Sequence, residues 1–372
     1  MADSRLPPNP TRARISLEAW RHNLNRLKAA APTSKMMAVI KANAYGHGAL
    51  QAARTLDAAE AFGVARLAEG LELREGGIAK PVVLMEGVFS SEELLLAMDH
   101  RLDFVVHADY QIDLLEQYER AVTSKNSRPT ARVVWLKLDT GMSRLGFQLG
   151  KAAEAAKRLR ALELVGELRV MTHLACADDP DSPMTAEQLH HFDAELRELE
   201  PSKKALANSA GILTVPDAHR DWVRAGIALY GSSPVVGRTA ESLGLRPVMT
   251  LATQVIALRT IQAGVSVGYG ATWRATRTSR IATLAAGYAD GVPRHLPSGT
   301  PVLIAGRRVP LVGRVSMDMI TVDVTDLPEL AIGSQAVLWG EGLAVDEIAA
   351  AAGTISYELL CGVSRRVAFD YV

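Results

Sequence analysis

Over the first two-thirds of the chain, short apolar runs alternate with longer amphipathic stretches. The apolar runs at 36–41, 61–65, 81–86, 103–107, 132–138, 168–174, 205–209 and 223–230 read as eight strands. Helical periodicity fills most of the intervals, as at 17–30, 91–100 and 185–199, with Ser90 and Thr185 as expected N-caps. Strands alternating with helices build parallel βαβ units. Eight such units predict an α/β fold, a closed (β/α)8 barrel of the TIM type.

The pattern changes at 232–244, a stretch rich in Gly, Ser and Pro. Beyond it, strand-like runs at 249–261, 280–286, 301–304, 307–312, 320–324 and 336–339 are divided by Gly and Pro turns, with one short helix at 346–352. The expected division is a barrel over 1–240 and a β-rich C-terminal domain over 241–372, the extreme N-terminal tail packing on either.

Composition narrows the function. The 372 residues suit two or three domains, and a 48% hydrophobic, 22% charged chain excludes wholesale disorder. With 41 basic and 41 acidic residues and no basic cluster, a nucleic-acid partner is not expected. Cys176 and Cys361 lie far apart, with no Cys/His spacing suited to a metal, and read as thiols of a reducing compartment. The polar opening residues lack the apolar core of a signal peptide, and no apolar run approaches the ~18 residues of a membrane span. The expected location is the cytoplasm.

Barrel enzymes place their chemistry at the carboxyl ends of the strands. Here the first strand ends at Lys41, followed by Tyr45-Gly46-His47-Gly48. The fifth carries Lys137 and runs into Asp139 and Arg144, the sixth reaches His173, the seventh Asn208-Ser209, and the eighth carries Arg224, Gly226 and Ile227. A lysine at the edge of an apolar interior loses its proton more readily, since desolvation disfavours the ammonium form. The neutral amine is then able to form a Schiff base with a carbonyl. A solvated lysine is the ordinary reading of a strand end, but the Gly-rich loop after Lys41 is more than a connector. The hydroxyl of Ser209 and the backbone N–H groups around Gly226 suit a phosphate, although such short strings are commonly turns. Arg224 is either a surface ion-pair partner or a fixed donor to a planar ligand. The GxSxG string at 264–268 lacks a following helix, so a serine nucleophile there is not expected. His190-His191 reads as a solvated helix face.

In order along the chain stand AVIKANAYGHG (38–48), LKLDTGMSRLGF (136–147), MTH (171–173), ANSA (207–210), VRAGIALYG (223–231), VGYG (267–270), AAGYADG (285–291), GRVSMDM (313–319) and GTISYE (353–358). Through these motifs the sequence resembles the bacterial alanine racemases along nearly its whole length. The resemblance implies a homodimer with shared active sites, using pyridoxal 5'-phosphate (PLP) to interconvert L-alanine and D-alanine. It makes Lys41 the cofactor lysine and D-side base, and Tyr269 of the partner subunit the L-side base. Tyr45, Ser209, Gly226, Ile227 and Tyr357 would hold the phosphate, with Asn208 beside them. Arg224 would bond the pyridine nitrogen and His173 would join Arg224 to Tyr269. Arg144 would meet the cofactor phenolic oxygen and the substrate carboxylate, with Met317 and Asp318 from the partner. Lys137 matches a lysine that is carbamylated in many members. The resemblance leaves open D-alanine supply for peptidoglycan or alanine catabolism.

Three rivals stay open. A broad-specificity racemase shares the architecture but usually carries an export signal. A PLP decarboxylase of this barrel class would place an acidic residue where Arg224 stands. A non-catalytic PLP carrier would not need the second domain.

Overall fold

Parallel strands buried on both faces are continuous apolar runs, and closing the eight predicted in the first two-thirds into a barrel leaves no edge unpaired. The computed structural model describes residues 10–124 and 131–372. Strand β1 spans Arg12–Ile15. Next come β2 (Lys35–Val39), β3 (Ala61–Val64), β4 (Val82–Leu84), β5 (Asp103–Val106), β6 (Arg132–Lys137), β7 (Val165–Met171), β8 (Lys204–Ala205) and β9 (Trp222–Ala225). Among the described residues β2 to β9 form a closed barrel in sequence order, β9 returning to pair with β2. The interior is packed rather than open. Met37, Val83, Val105, Trp135, Met171 and Trp222 belong to one buried cluster. The Trp135 and Trp222 rings meet edge to face at 5.9 Å, and the Arg169 guanidinium lies 5.2 and 5.1 Å from their centroids.

The β-rich unit contains β10 (Met249–Ile261), β11 (Ser266–Val267), β12 (Trp273–Arg274), β13 (Ser279–Leu284), β14 (Pro301–Ile304), β15 (Arg307–Pro310), β16 (Ile320–Asp323), β17 (Gln335–Trp339) and β18 (Ala368–Tyr371). Its main sheet runs β15-β14-β17-β10-β1-β18, with β13 and β16 branching from β10. Strand β1 is antiparallel to β10 and parallel to β18, burying Ala13 and Ile15. Residues 10–20, 230–232 and 246–372 therefore make one unit, and residues 21–229 and 233–245 the other.

Several local expectations change. Thr185 is not an N-cap: the helix Met184–Leu199 starts before it, with Pro183 at the cap, and Thr185 is buried inside the first turn. Ser90 does cap its helix, accepting from the Glu93 N–H. Strand β9 stops at Ala225, and Ile227–Tyr230 is a 3-10 turn. Strand β8 is only two residues long, so Asn208 and Ser209 lie beyond it. Ser356–Cys361 is a helix that periodicity did not disclose, being less than two turns long. His191 is half-buried rather than on a solvated face, its Nδ1 3.1 Å from the Thr140 carbonyl.

Candidate active site

Strand β2 ends at Val39, two residues before Lys41 rather than at it, and after Lys41 the chain turns with the wrong hand. Ala42, Asn43, Ala44 and Tyr45 have φ of 53°, 53°, 53° and 52°. For residues with a Cβ this left-handed turn costs roughly 1–2 kcal/mol each. Surrounding groups must hold it. The Ala44 N–H donates to the Ile40 carbonyl at 2.8 Å, and Asn43 Oδ1 accepts from the Ala49 N–H at 2.8 Å. Buried His47 sits 2.9 and 3.1 Å through Nδ1 from the Tyr45 and Ala44 carbonyls, so that nitrogen carries a proton. Burial pushes its pKa down to about 4, which keeps the ring neutral. From the helix Leu67–Glu75, Glu69 Oε1 accepts the Ala42 N–H at 2.6 Å.

The turn brings Tyr45 over Gly226. A Cβ on Gly226 would lie 2.8 Å from Tyr45 Oη and 3.8 Å from Ser209 Oγ, so any larger residue there must displace the Tyr45 hydroxyl. Ser209 Oγ accepts the N–H groups of Gly226 (2.8 Å) and Ala228 (3.3 Å) and retains its own proton to donate. Asn208 caps the following helix through the Gly211 N–H at 3.0 Å, and Ile227 is buried beside Gly226. Asn208 and Ile227 thus serve the local backbone that shapes this cradle.

Across the same barrel end lies a surplus of positive charge. Buried Arg224 donates through Nη2 to the carbonyls of Thr172 (2.5 Å) and Leu206 (2.9 Å), and its Nη1 has no partner among the described residues. Burial lowers its pKa to about 10, leaving it charged at neutral pH. Burial, then Arg224, Arg144 and Lys41, push Lys137 down to about 8, with Glu86 opposing weakly. His173 is driven well below the usual histidine range by burial and then by Arg224, Lys137, Arg144 and Lys41. Arg144 is exposed, on a loop that doubles back on β6: the Phe147 N–H reaches the Lys137 carbonyl at 2.8 Å. Asp139 Oδ1 ties that loop to the N–H groups of Gly141 (3.1 Å) and Ser143 (2.9 Å).

Among the described residues the cations acting on Lys137 and His173 outnumber the anions, of which Glu86 is the one that acts on Lys137. A ligand with a phosphate, a phenolate and a ring nitrogen able to accept from Arg224 Nη1 fits the donors present. PLP has all three.

The other four expected residues lie on the β-rich unit. Tyr269 is 69% exposed on a turn between Gly268 and Gly270, whose φ are 76° and 74°. Met317 is half-exposed, and its carbonyl accepts the Ala289 N–H at 2.9 Å. Asp318 pairs with Arg366 at 2.8 Å, and Arg366 pairs with buried Asp290 at 2.8 Å. Tyr357 is on the helix Ser356–Cys361. Sequence reasoning passed over Glu69, Asp290 and Arg366, because the partners that give them a role, Ala42 for Glu69 and Asp290 and Asp318 for Arg366, are remote in sequence.

Residues 15–234 match the model of the alanine racemase N-terminal domain, and residues 248–371 that of the C-terminal domain. The chain belongs to the alanine racemase family. The alanine racemase of Thioalkalivibrio sulfidiphilus is 50% identical over 97% of this chain and 98% of its own. The biosynthetic alanine racemase of Pseudomonas aeruginosa, 46% identical, superposes with a TM-score of 0.92 over 98% of this chain and 100% of its own. The alanine racemase of Bartonella henselae, solved with covalently bound pyridoxal phosphate, is 30% identical with a TM-score of 0.87, covering 98% and 100%. As an alanine racemase the chain is an isomerase that interconverts L-alanine and D-alanine. Among the described residues no helix is long and apolar enough to cross a membrane.

Proposed function

We propose that this racemase works with PLP held in the barrel and with two bases on opposite faces of the substrate Cα. Racemisation removes a proton from one face and returns one to the other, and two fixed bases do so without turning the substrate over. Lys41 Nζ serves the D face. The partner subunit's Tyr269 serves the L face, which makes the enzyme a homodimer with shared sites. PLP, when bound, supplies the electron sink that acidifies the Cα–H bond.

The remaining roles belong to this chain's own groups. Ser209, Tyr45, Tyr357 and the backbone at Gly226 and Ile227 bind the phosphate, with Asn208 fixing the backbone beside them. Arg224, through Nη1, free among the described residues, would hold the pyridine nitrogen as a fixed charged donor, which would leave that nitrogen without a proton. His173, beside Arg224, would donate to the phenolate that the partner subunit's Tyr269 requires as a base. Arg144 binds the substrate carboxylate, and Met317 and Asp318 of the partner subunit close the pocket. Lys137 takes up carbon dioxide as a carbamate, whose negative charge orients Arg144; two cations so close would otherwise repel.

The observation that carries this reading is the buried Arg224 Nη1, a charged donor without an acceptor among the described residues, near Lys137 and His173. The test mixes two inactive variants, Lys41→Ala and Tyr269→Phe, after verified subunit exchange. Half of the mixed dimer's sites are then intact, so loss of optical rotation from L-alanine must reappear. Continued inactivity overturns the shared site. Likeness to the Pseudomonas aeruginosa enzyme favours a biosynthetic role, D-alanine supply, and two free cysteines suit a cytoplasmic location.

A further inference from the structure

Glu69 stands third in the helix Leu67–Glu75, where a carboxylate commonly caps the helix start. Its Oε2 does this, accepting the N–H groups of Ala65 (2.7 Å) and Arg66 (3.1 Å). Capping leaves Oε1 unaccounted for. That oxygen accepts the Ala42 N–H at 2.6 Å, across 27 residues of sequence. The N–H belongs to the peptide group that joins Lys41 to Ala42, so the carboxylate fixes the orientation of the plane directly after Lys41. Ala42 is also the first of five successive left-handed residues, of which only the last, Gly46, is a glycine. The far end of this turn is held by Asn43 and His47. Its near end is held by Glu69.

We propose that Glu69 is a positioning residue for Lys41: it locks the left-handed turn from outside and so aims the lysine amine into the barrel mouth. The proposal rests on the reading of Lys41 as the cofactor lysine. Alanine prefers the right-handed region, and without the Glu69 oxygen the turn relaxes and carries the lysine with it. Glycine has no such preference, so a glycine at position 42 needs no lock. Ala42 is exposed, and its methyl group fills no packed space.

The test reads retention of PLP by the holoenzyme during dialysis, as visible absorbance, with borohydride reduction and peptide mass reporting the lysine that bears it. Glu69→Ala is expected to lose PLP about tenfold faster than wild type, the scale of one charge-assisted hydrogen bond. Ala42→Gly alone is expected to retain PLP like wild type, and the double variant to recover most of the loss. A merely structural cap predicts no such rescue. Unchanged retention in Glu69→Ala overturns the proposal, as does a double variant as leaky as the single one. If Glu69→Ala does not fold by circular dichroism, Glu69→Gln is read in its place, alone and with Ala42→Gly. Its one acceptor oxygen cannot serve both sides. A label on a lysine other than Lys41 in the wild-type protein overturns the reading of the site itself, and with it the proposal.

Discussion

Arg224 Nη2 lies 3.5 Å from His173 Nδ1, and its charge bears on the tautomer of the imidazole. Both Nη2 hydrogens go to the Thr172 and Leu206 carbonyls, but a guanidinium has no lone pair to receive an Nδ1–H, so a bare Nδ1 with the ring proton on Nε2 is the favoured tautomer. Burial and the surrounding cations keep the ring from taking a second proton. Nitrogen-resolved NMR of the holoenzyme at pH 7 is expected to show His173 neutral with Nδ1 bare. An imidazolium at that pH would contradict the arrangement.

Replacing Arg224 by Glu removes the donor from the Thr172 and Leu206 carbonyls and buries an anion against them. The variant is expected to lose about 3 kcal/mol or more of stability and to racemise alanine more slowly. Denaturant unfolding and polarimetry check the two effects separately. Wild-type stability would show that the buried bonds carry little energy.

His47 makes the fold acid-sensitive. Its pKa is about 4 in the folded protein, and near ~6.5 in an unfolded chain. The unfolded state therefore binds a proton first. Stability is fully present above pH 6.5 and falls as the pH drops from there towards 4, by about 3 kcal/mol in all from this one ring. Urea midpoints across that range are expected to decline less steeply for His47→Asn, which keeps a donor for the two carbonyls but does not titrate.

Lys137 is set up to react with carbon dioxide. With its pKa near 8 roughly a tenth of the amine is neutral at pH 7, against ~0.03% for an ordinary lysine. Carbamate formation joins the neutral nitrogen to the carbon of carbon dioxide and releases one proton, so it strengthens with pH and bicarbonate. Native mass spectrometry in bicarbonate is expected to show one added carbon dioxide, lost in Lys137→Arg. A density map with a bare amine at Lys137 would overturn the proposal.

Gly226→Ala is expected to weaken PLP binding. Its methyl carbon would meet Tyr45 Oη at 2.8 Å, and Tyr45 cannot retreat easily from a left-handed turn held on all sides. Overpacking of this kind costs about 1–3 kcal/mol. Equilibrium dialysis with PLP measures it, and a wild-type dissociation constant would show that the cradle yields.

The barrel was legible because its strands are continuous apolar runs, and the helix Leu17–Ala30 has the boundaries its periodicity predicts. The residues of the barrel mouth were legible too, since a strand's carboxyl end is a fixed address in this architecture. Strand β1 was not. Four residues carry too little alternation to choose a partner, and β1 is defined by β10 and β18, more than 230 residues away.

The sequence by itself determined the alternating elements, the closed barrel, the β-rich unit and the family, because burial pattern and residue type are local properties. Only the tertiary structure decided the handedness of the turn after Lys41, the lone Nη1 of Arg224 and the lowered pKa of Lys137. Ala-Asn-Ala-Tyr contains nothing that demands a positive φ; Glu69, arriving from another helix, helps impose it. Charges separated by up to 183 residues, from Lys41 to Arg224, share one barrel end only after the strands close. Handedness and protonation there are set by neighbours in space, and a linear chain does not specify its neighbours until it has folded.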